Sequence, residues 1–218
     1  MRLKKKLKFF SYLYPVRVQI FESEVSGCLE IFWENGKKVL NGPHSNYSFG
    51  RLHQVFASGF RHFKPYWEEI HEVLILGYGG GSISELLKKQ RGFNGNITAV
   101  ELDPVIREIA ETHFPEALAG VELHIQDASR FLESTARGYD LIVVDLFIDD
   151  QVPAQFGQEA FIKSLQTHLN RGGMLIHNFM FVQLQERQRV MDLYRENFER
   201  VDFMELFGSN TLVWACKG

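Results

Sequence analysis

At 218 residues, 45% of them hydrophobic and with a formal net charge of -3, the chain is long enough for one sizeable domain whose core needs no disulfide or metal staples. The slightly acidic balance speaks against a general nucleic-acid footprint, and no apolar run approaches the ~20 residues of a membrane span, so neither a nucleic acid nor a membrane is an expected partner. Cys28 and Cys216 lie far apart in sequence and form no C-x-x-C pair, which argues against a disulfide framework and points to a reducing, cytoplasmic setting.

The chain opens on a basic stretch (Arg2, Lys4, Lys5, Lys6, Lys8) that runs into Phe9-Phe10-Ser11-Tyr12-Leu13-Tyr14. The apolar part is short and ends at Pro15 without a small-residue cleavage site, so the segment reads as a solvated basic arm rather than a signal peptide. Its aromatic stripe reads as core or dimer surface. Residues 16–21 and 28–33 alternate as strands, and Asn35-Gly36 before 38–40 is a strong hairpin signal. Apolar spacing turns helical over 47–63 and stops at Pro65. The expected division is therefore a small β domain over 1–46 and a second domain over 47–218.

From residue 73 strands and helices alternate. Strands are expected at 73–76, 97–100, 122–125, 141–144 and 174–177, and helices at 82–89, 104–114, 128–134, 156–169 and 183–198. Two last strands, near 201–206 and 211–215, close the chain as an edge hairpin. This pattern implies an α/β fold with a mostly parallel seven-stranded sheet and helices on both faces.

Gly77-Tyr78-Gly79-Gly80-Gly81-Ser82 lies between the first buried strand and its helix, where glycines permit a tight turn and close approach of backbone N–H groups to a ligand. Glu101 ends the next strand, a spacing that suits a carboxylate accepting ribose hydroxyls. Ser82 breaks the dinucleotide glycine pattern, and no Lys-Ser/Thr pair follows to make a P-loop. At the end of the third strand, Asp127 can accept from an adenine amino group while the Ala128 N–H meets a ring nitrogen. A plain helix cap is the competing role for Asp127, and Asp103-Pro104 reads as a cap followed by N1. The set favours an adenosine whose other end is not a diphosphate.

Residues 73–87 (VLILGYGGGSISELL), 100–114, 121–132 and 139–153, and the closing 209–215, resemble in order the spermidine synthase-like, polyamine-biosynthesis family. The resemblance implies a methyltransferase-like Rossmann domain after a small N-terminal β-hairpin domain, and a homodimer. It also implies a transferase that uses S-adenosylmethionine or its decarboxylated form as donor and a small amine as acceptor. No His-x-x-His or carboxylate-His spacing appears, so no metal is expected. Carried onto this sequence, Gly77, Gly79, Gly80 and Gly81 cradle the donor, Glu101 holds the ribose, and Asp127 and Ala128 hold the adenine. Asp145 is the catalytic carboxylate.

The family has an aspartate in the glycine loop that grips the donor's aminopropyl amine, and here that place is Gly80. Its D-S-x-D-P segment is altered to Asp145-Leu146-Phe147-Ile148-Asp149-Asp150, and the acidic cluster of its N-terminal part is replaced by Pro43-His44-Ser45-Asn46-Tyr47-Ser48-Phe49-Gly50. A diamine needs several carboxylates, so true spermidine synthesis is not expected. The alternatives are a methyltransferase that uses S-adenosylmethionine and a non-catalytic nucleotide-binding module. Tyr47, His53 and Asp149 are candidate acceptor-side residues, with His44 beside them. His177 and Asn178 are candidates for the pocket wall or the core.

Overall fold

The computed structural model describes residues 2–43, 46–48, 51–90, 92–147, 152–181, 183–206 and 210–218; for 2–5, 46–48 and 51 it describes the backbone alone. Strands β1 (Val16–Ser23), β2 (Gly27–Glu34), β3 (Lys37–Asn41) and β4 (Asn46–Ser48) form an antiparallel sheet in chain order. The expected Asn-Gly turn joins β2 to β3: Asn35 and Gly36 have φ of 48° and 75°, the left-handed pair whose twist matches the flanking strands.

The basic arm differs from expectation, because it folds as helix α1 (Arg2–Phe10). Its end is tied to the hairpin turn. Ser11 Oγ donates to the Lys8 carbonyl and accepts from the Gly36 N–H, and the Asn35 N–H donates to the Ser11 carbonyl. The two contacts with Asn35 and Gly36 span more than twenty residues, so local composition could not announce them. Phe9, Phe10, Tyr12 and Tyr14 are exposed and do not join the core of the described chain. The next helix, α2 (Arg51–Phe63), starts later than 47 because residues 46–48 are drawn into β4, where Ser48 pairs with Leu40. The first sheet thus reaches past residue 46.

The second sheet contains β5 (Glu72–Leu76), β6 (Asn96–Glu101), β7 (Val121–Ile125), β8 (Tyr139–Val144), β9 (Leu169–Met180), β10 (Arg200–Leu206) and β11 (Asn210–Cys216), in the order β10-β11-β9-β8-β5-β6-β7. The strands from β5 to β9 pair parallel, and β11 lies antiparallel between β9 and β10. The strand order turns back on itself between β5 and β8, the kind of crevice in which open α/β sheets bind ligands. Strand β9 is longer than the apolar run at 174–177. Gly172 N–H donates to the Lys217 carbonyl and Lys217 N–H donates to that of Gly173, so the far end of the chain holds a stretch that reads locally as a turn.

Helices α3 (Ser82–Lys88), α4 (Pro104–His113), α5 (Pro115–Leu118), α6 (Ala128–Ser134), α7 (Glu159–His168) and α8 (Leu184–Asn197) complete the layers. Period-two alternation sorts the strand side chains. Val73, Ile75, Ile97, Ala99, Leu141, Val143, Ile176 and Leu212 share a core with α2, α3, α4 and the first sheet. Leu74, Leu76, Ile142, Val144, Leu175 and Val213 share one with α6, α7 and α8. Each fully buried aliphatic side chain contributes roughly 1.5–3 kcal/mol. Between the two sheets, Ser23 Oγ donates to Asp103 Oδ2 at 2.5 Å, and Lys38 Nζ donates to the His113 carbonyl at 3.2 Å. No described helix is long and apolar enough to cross a membrane.

Candidate active site

The parity that fills the α2–α3 face also builds the site. Continuing 73-75, 99, 143 and 176 by one alternate residue gives Gly77, Glu101, Asp145 and Asn178 at the carboxyl rim of four adjacent strands. Gly77 N–H donates to the Val100 carbonyl at 2.9 Å and Asp145 N–H to that of Leu76 at 2.8 Å, so both chains leave the sheet side by side. Gly77, Gly79 and Gly81 have φ of 90°, 53° and 87°. A Cβ at Gly77 would overlap the Asp145 carbonyl oxygen, a backbone atom that cannot swing away. Gly77→Ala therefore meets both a left-handed backbone, which costs a non-glycine residue about 1–3 kcal/mol, and a steric clash. A chemical-denaturation midpoint lowered by more than the backbone cost alone is the expected result.

Glu101 Oε2 accepts from the Gly79 N–H at 2.9 Å, and its Oε1 accepts from Leu102 and Asp103 N–H groups at 2.8 and 3.0 Å. The carboxylate thus braces the glycine loop. Three of its roughly four lone-pair sites are engaged, leaving Oε2 room for one further donor. Burial pushes the carboxyl up, and the three N–H donors oppose that rise. Asp103 is the N-cap expected of it, accepting from Val105 N–H through Oδ1 with Pro104 at N1; its Oδ2 takes the bond from Ser23. Asp127 caps α6, with Oδ1 accepting from Arg130 N–H at 3.0 Å. Among the described residues nothing donates to its Oδ2, so capping and ligand contact can coexist. Ala128 follows, buried, as the first residue of that helix.

Asp145 accepts from Asn178 Nδ2 through Oδ1 at 2.9 Å. Burial pushes its carboxyl up to about 7; the Asn178 bond works against this and the negative charge of Glu101 adds to it. Asn178 in turn accepts from Asn210 Nδ2 at 3.0 Å. Asn210 was not singled out from sequence, because only the antiparallel insertion of β11 beside β9 brings it here. His177 points to the opposite face, bonded to Tyr194 and stacked on Phe179, and its burial holds it neutral, with a pKa of about 3. That makes it the core histidine of the two readings. His53 lies on α2. Burial lowers its pKa, and its charged neighbours are Glu85, Lys37 and Lys89. The Tyr47 side chain, His44 and Asp149 lie outside the described residues. Among the described residues no group of three His, Cys, Asp or Glu could hold a metal.

The family model for the spermine/spermidine synthase domain matches residues 55–206. The chain belongs to that family. The matched region carries the glycine loop, Glu101, Asp127, Asp145 and Asn178, and stops just before Asn210. Among curated relatives, a probable polyamine aminopropyl transferase of Bifidobacterium longum is 31% identical over 115 residues, 53% of this chain and 25% of that protein. The chain spans between a quarter and about half the length of that relative and of the polyamine aminopropyltransferase of Vibrio vulnificus. A probable spermidine synthase from Corynebacterium glutamicum has the same fold at TM-score 0.78 and 19% identity, over 91% of this chain and 80% of that one. Human methyltransferase-like protein 13, solved with SAH, shares it at TM-score 0.67 and 22% identity, over 78% of this chain and 83% of that one. The methyltransferase-like Rossmann architecture expected of the second sheet is therefore the one present.

Proposed function

We propose that this protein transfers an alkyl group, in the first instance an aminopropyl group, from an S-adenosyl donor to a small amine. The donor's adenosine lies along the rim, with one ribose hydroxyl on Glu101 Oε2, the adenine amino group on Asp127 Oδ2 and a ring nitrogen on the Ala128 N–H. The sulfonium faces Asp145. The amine nitrogen attacks the carbon bound to sulfur; a C–N bond forms, the C–S bond breaks, and its electron pair leaves with the thioether. The proton released from the amine passes to Asp145. The observation that carries this reading is the Asp145 carboxyl itself, raised by burial to about 7 at the mouth of a glycine loop. A base whose pKa lies near working pH is the one best suited to take a proton in the transition state. The acceptor is a small amine with less positive charge than a diamine, since residues 43–50 hold no carboxylate where family members carry an acidic cluster.

Gly80, where family members carry a loop aspartate, favours a second reading. A donor that keeps its carboxylate meets less repulsion at a glycine than at an aspartate, so methyl transfer from S-adenosylmethionine fits the loop as well. Thermal unfolding with each nucleotide separates the two. A ligand at about a hundred times its dissociation constant adds about 2.7 kcal/mol, or several degrees in a chain of this size. Greatest stabilisation by decarboxylated S-adenosylmethionine or methylthioadenosine supports aminopropyl transfer. If S-adenosylmethionine and S-adenosylhomocysteine stabilise more, methyl transfer takes its place, and if none shifts the melt the nucleotide site itself is refuted.

A further inference from the structure

We infer that Asn178 and Asn210 are positioning residues for Asp145: a one-way chain of carboxamides, Asn210 to Asn178 to Asp145, occupies Oδ1 of the carboxylate and presents Oδ2 to the acceptor amine. This deepens the reading of Asp145 as the proton acceptor and rests on it. The three side chains come from β11, β9 and the end of β8, adjacent strands in the sheet. In the β9–β11 register Leu212 faces Asn178 and Asn210 faces Met180, so the two asparagines are diagonal neighbours on one face, within reach of each other. Asn178 is 1% exposed and Asn210 9%.

Charge dictates the direction of the chain. An ionised carboxylate only accepts, so the Asn178 amide must turn its NH2 toward Asp145 and its oxygen toward Asn210, which must then supply an NH2. Two buried amides bring little stability over an apolar pair of the same shape; what they bring is a fixed donor on one carboxylate oxygen. That donor favours the ionised form. Among the described residues, the charged group that acts on Asp145 is Glu101, from β6. The glycine loop after β5 passes its backbone against that of Asp145 at Gly77, and His177 of β9 points to the other face, bonded to Tyr194.

The test reads Asp145 without substrate. Protein labelled with 13C at aspartate carboxyls is titrated by NMR, with Asp145→Asn identifying the resonance. Asn178→Leu, close in size, is expected to raise the proton affinity of Asp145 roughly tenfold, the loss of one hydrogen bond to a charged group. Asn210→Leu shifts it the same way by less, because Asn178 keeps its place but loses the partner that orients it. Asn178→Ser, which restores a donor, returns the midpoint part of the way and serves as the readable variant should a leucine prevent folding. Where an acceptor is in hand, the acidic limb of kcat/KM moves with the NMR midpoint. An unmoved midpoint in folded Asn178 variants overturns the chain as a positioning device. Since no turnover is needed, a moved midpoint in a protein that transfers nothing leaves the chain standing and refutes the proposed function instead.

Discussion

Asp145→Asn is expected to reduce turnover by roughly 10²–10⁴-fold, the range over which a positioned general base acts, and to leave the affinity for methylthioadenosine unchanged. The substitution is close to isosteric and keeps an oxygen for the Asn178 N–H bond at Oδ1, so the site retains its shape while losing its base. Equilibrium binding beside single-turnover kinetics separates the two effects. The carboxyl is raised to about 7, first by burial, so the wild-type kcat/KM is expected to fall below neutral pH as the base becomes protonated. The same shift has a stability consequence of definite sign. Between the ordinary aspartate value near 4 and about 7, the native protein holds a proton that the unfolded chain has released, so stability falls as pH rises through that window. The asparagine variant escapes this fall. It is expected to match wild type in stability near pH 4 and to melt higher than wild type at pH 8, which calorimetry at the two pH values measures. Equal melting at both would mean that Asp145 ionises freely and is no tuned base.

How much of this was legible beforehand depends on whether the signal was local. The central strands announced themselves as short β-branched and aliphatic runs, and the glycines between 77 and 81 as a loop free to turn tightly. Asp103-Pro104 declared a helix start, and Asn35-Gly36 a turn. Each of these is decided within a few residues by sterics or capping, and each forms as read. The segments read otherwise are those decided from a distance. Helix α1 is held by a turn more than twenty residues away, β4 is claimed by β3 before α2 can begin, and the start of β9 is held by the chain's last residues. The site divides the same way. Glu101 and Asp145 stand at the ends of strands whose apolar runs are unmistakable, so the rim position of each follows from the run before it. Asn178 has the right parity, two residues after Ile176, yet sequence offered no reason to choose between it and His177. Asn210 needed the knowledge that β11 slips between β9 and β10, a choice of strand order that alternation within one strand does not encode.

Glu101→Gln is expected to weaken methylthioadenosine binding by ten- to a hundredfold, and the reason is loop order as much as ligand contact. The carboxylate accepts three backbone N–H groups, one from the glycine loop and two from the turn that leads into α4. Glutamine has one acceptor oxygen. Turned toward Leu102 and Asp103 it sets an NH2 against the Gly79 N–H; turned toward Gly79 it does the same to the other two. Either way a backbone donor loses its partner and the ribose hydroxyl loses its charged acceptor. A hydrogen bond to a charged group contributes about 1.5–3 kcal/mol, which is roughly the stated fold-change. Isothermal titration with methylthioadenosine checks this, because that ligand carries the adenosine part without the donor's variable tail and so reads the ribose site whichever alkyl group is transferred. Full retention of affinity would leave Glu101 a brace for the loop and move the ribose elsewhere on the rim. The contrast with Asp145→Asn is the sharper for using the same ligand. In the proposed site one carboxylate, on β6, governs whether the nucleotide is held. The other, after β8, governs there what happens to it, and a site in which both substitutions abolished binding would be organised differently from the one proposed.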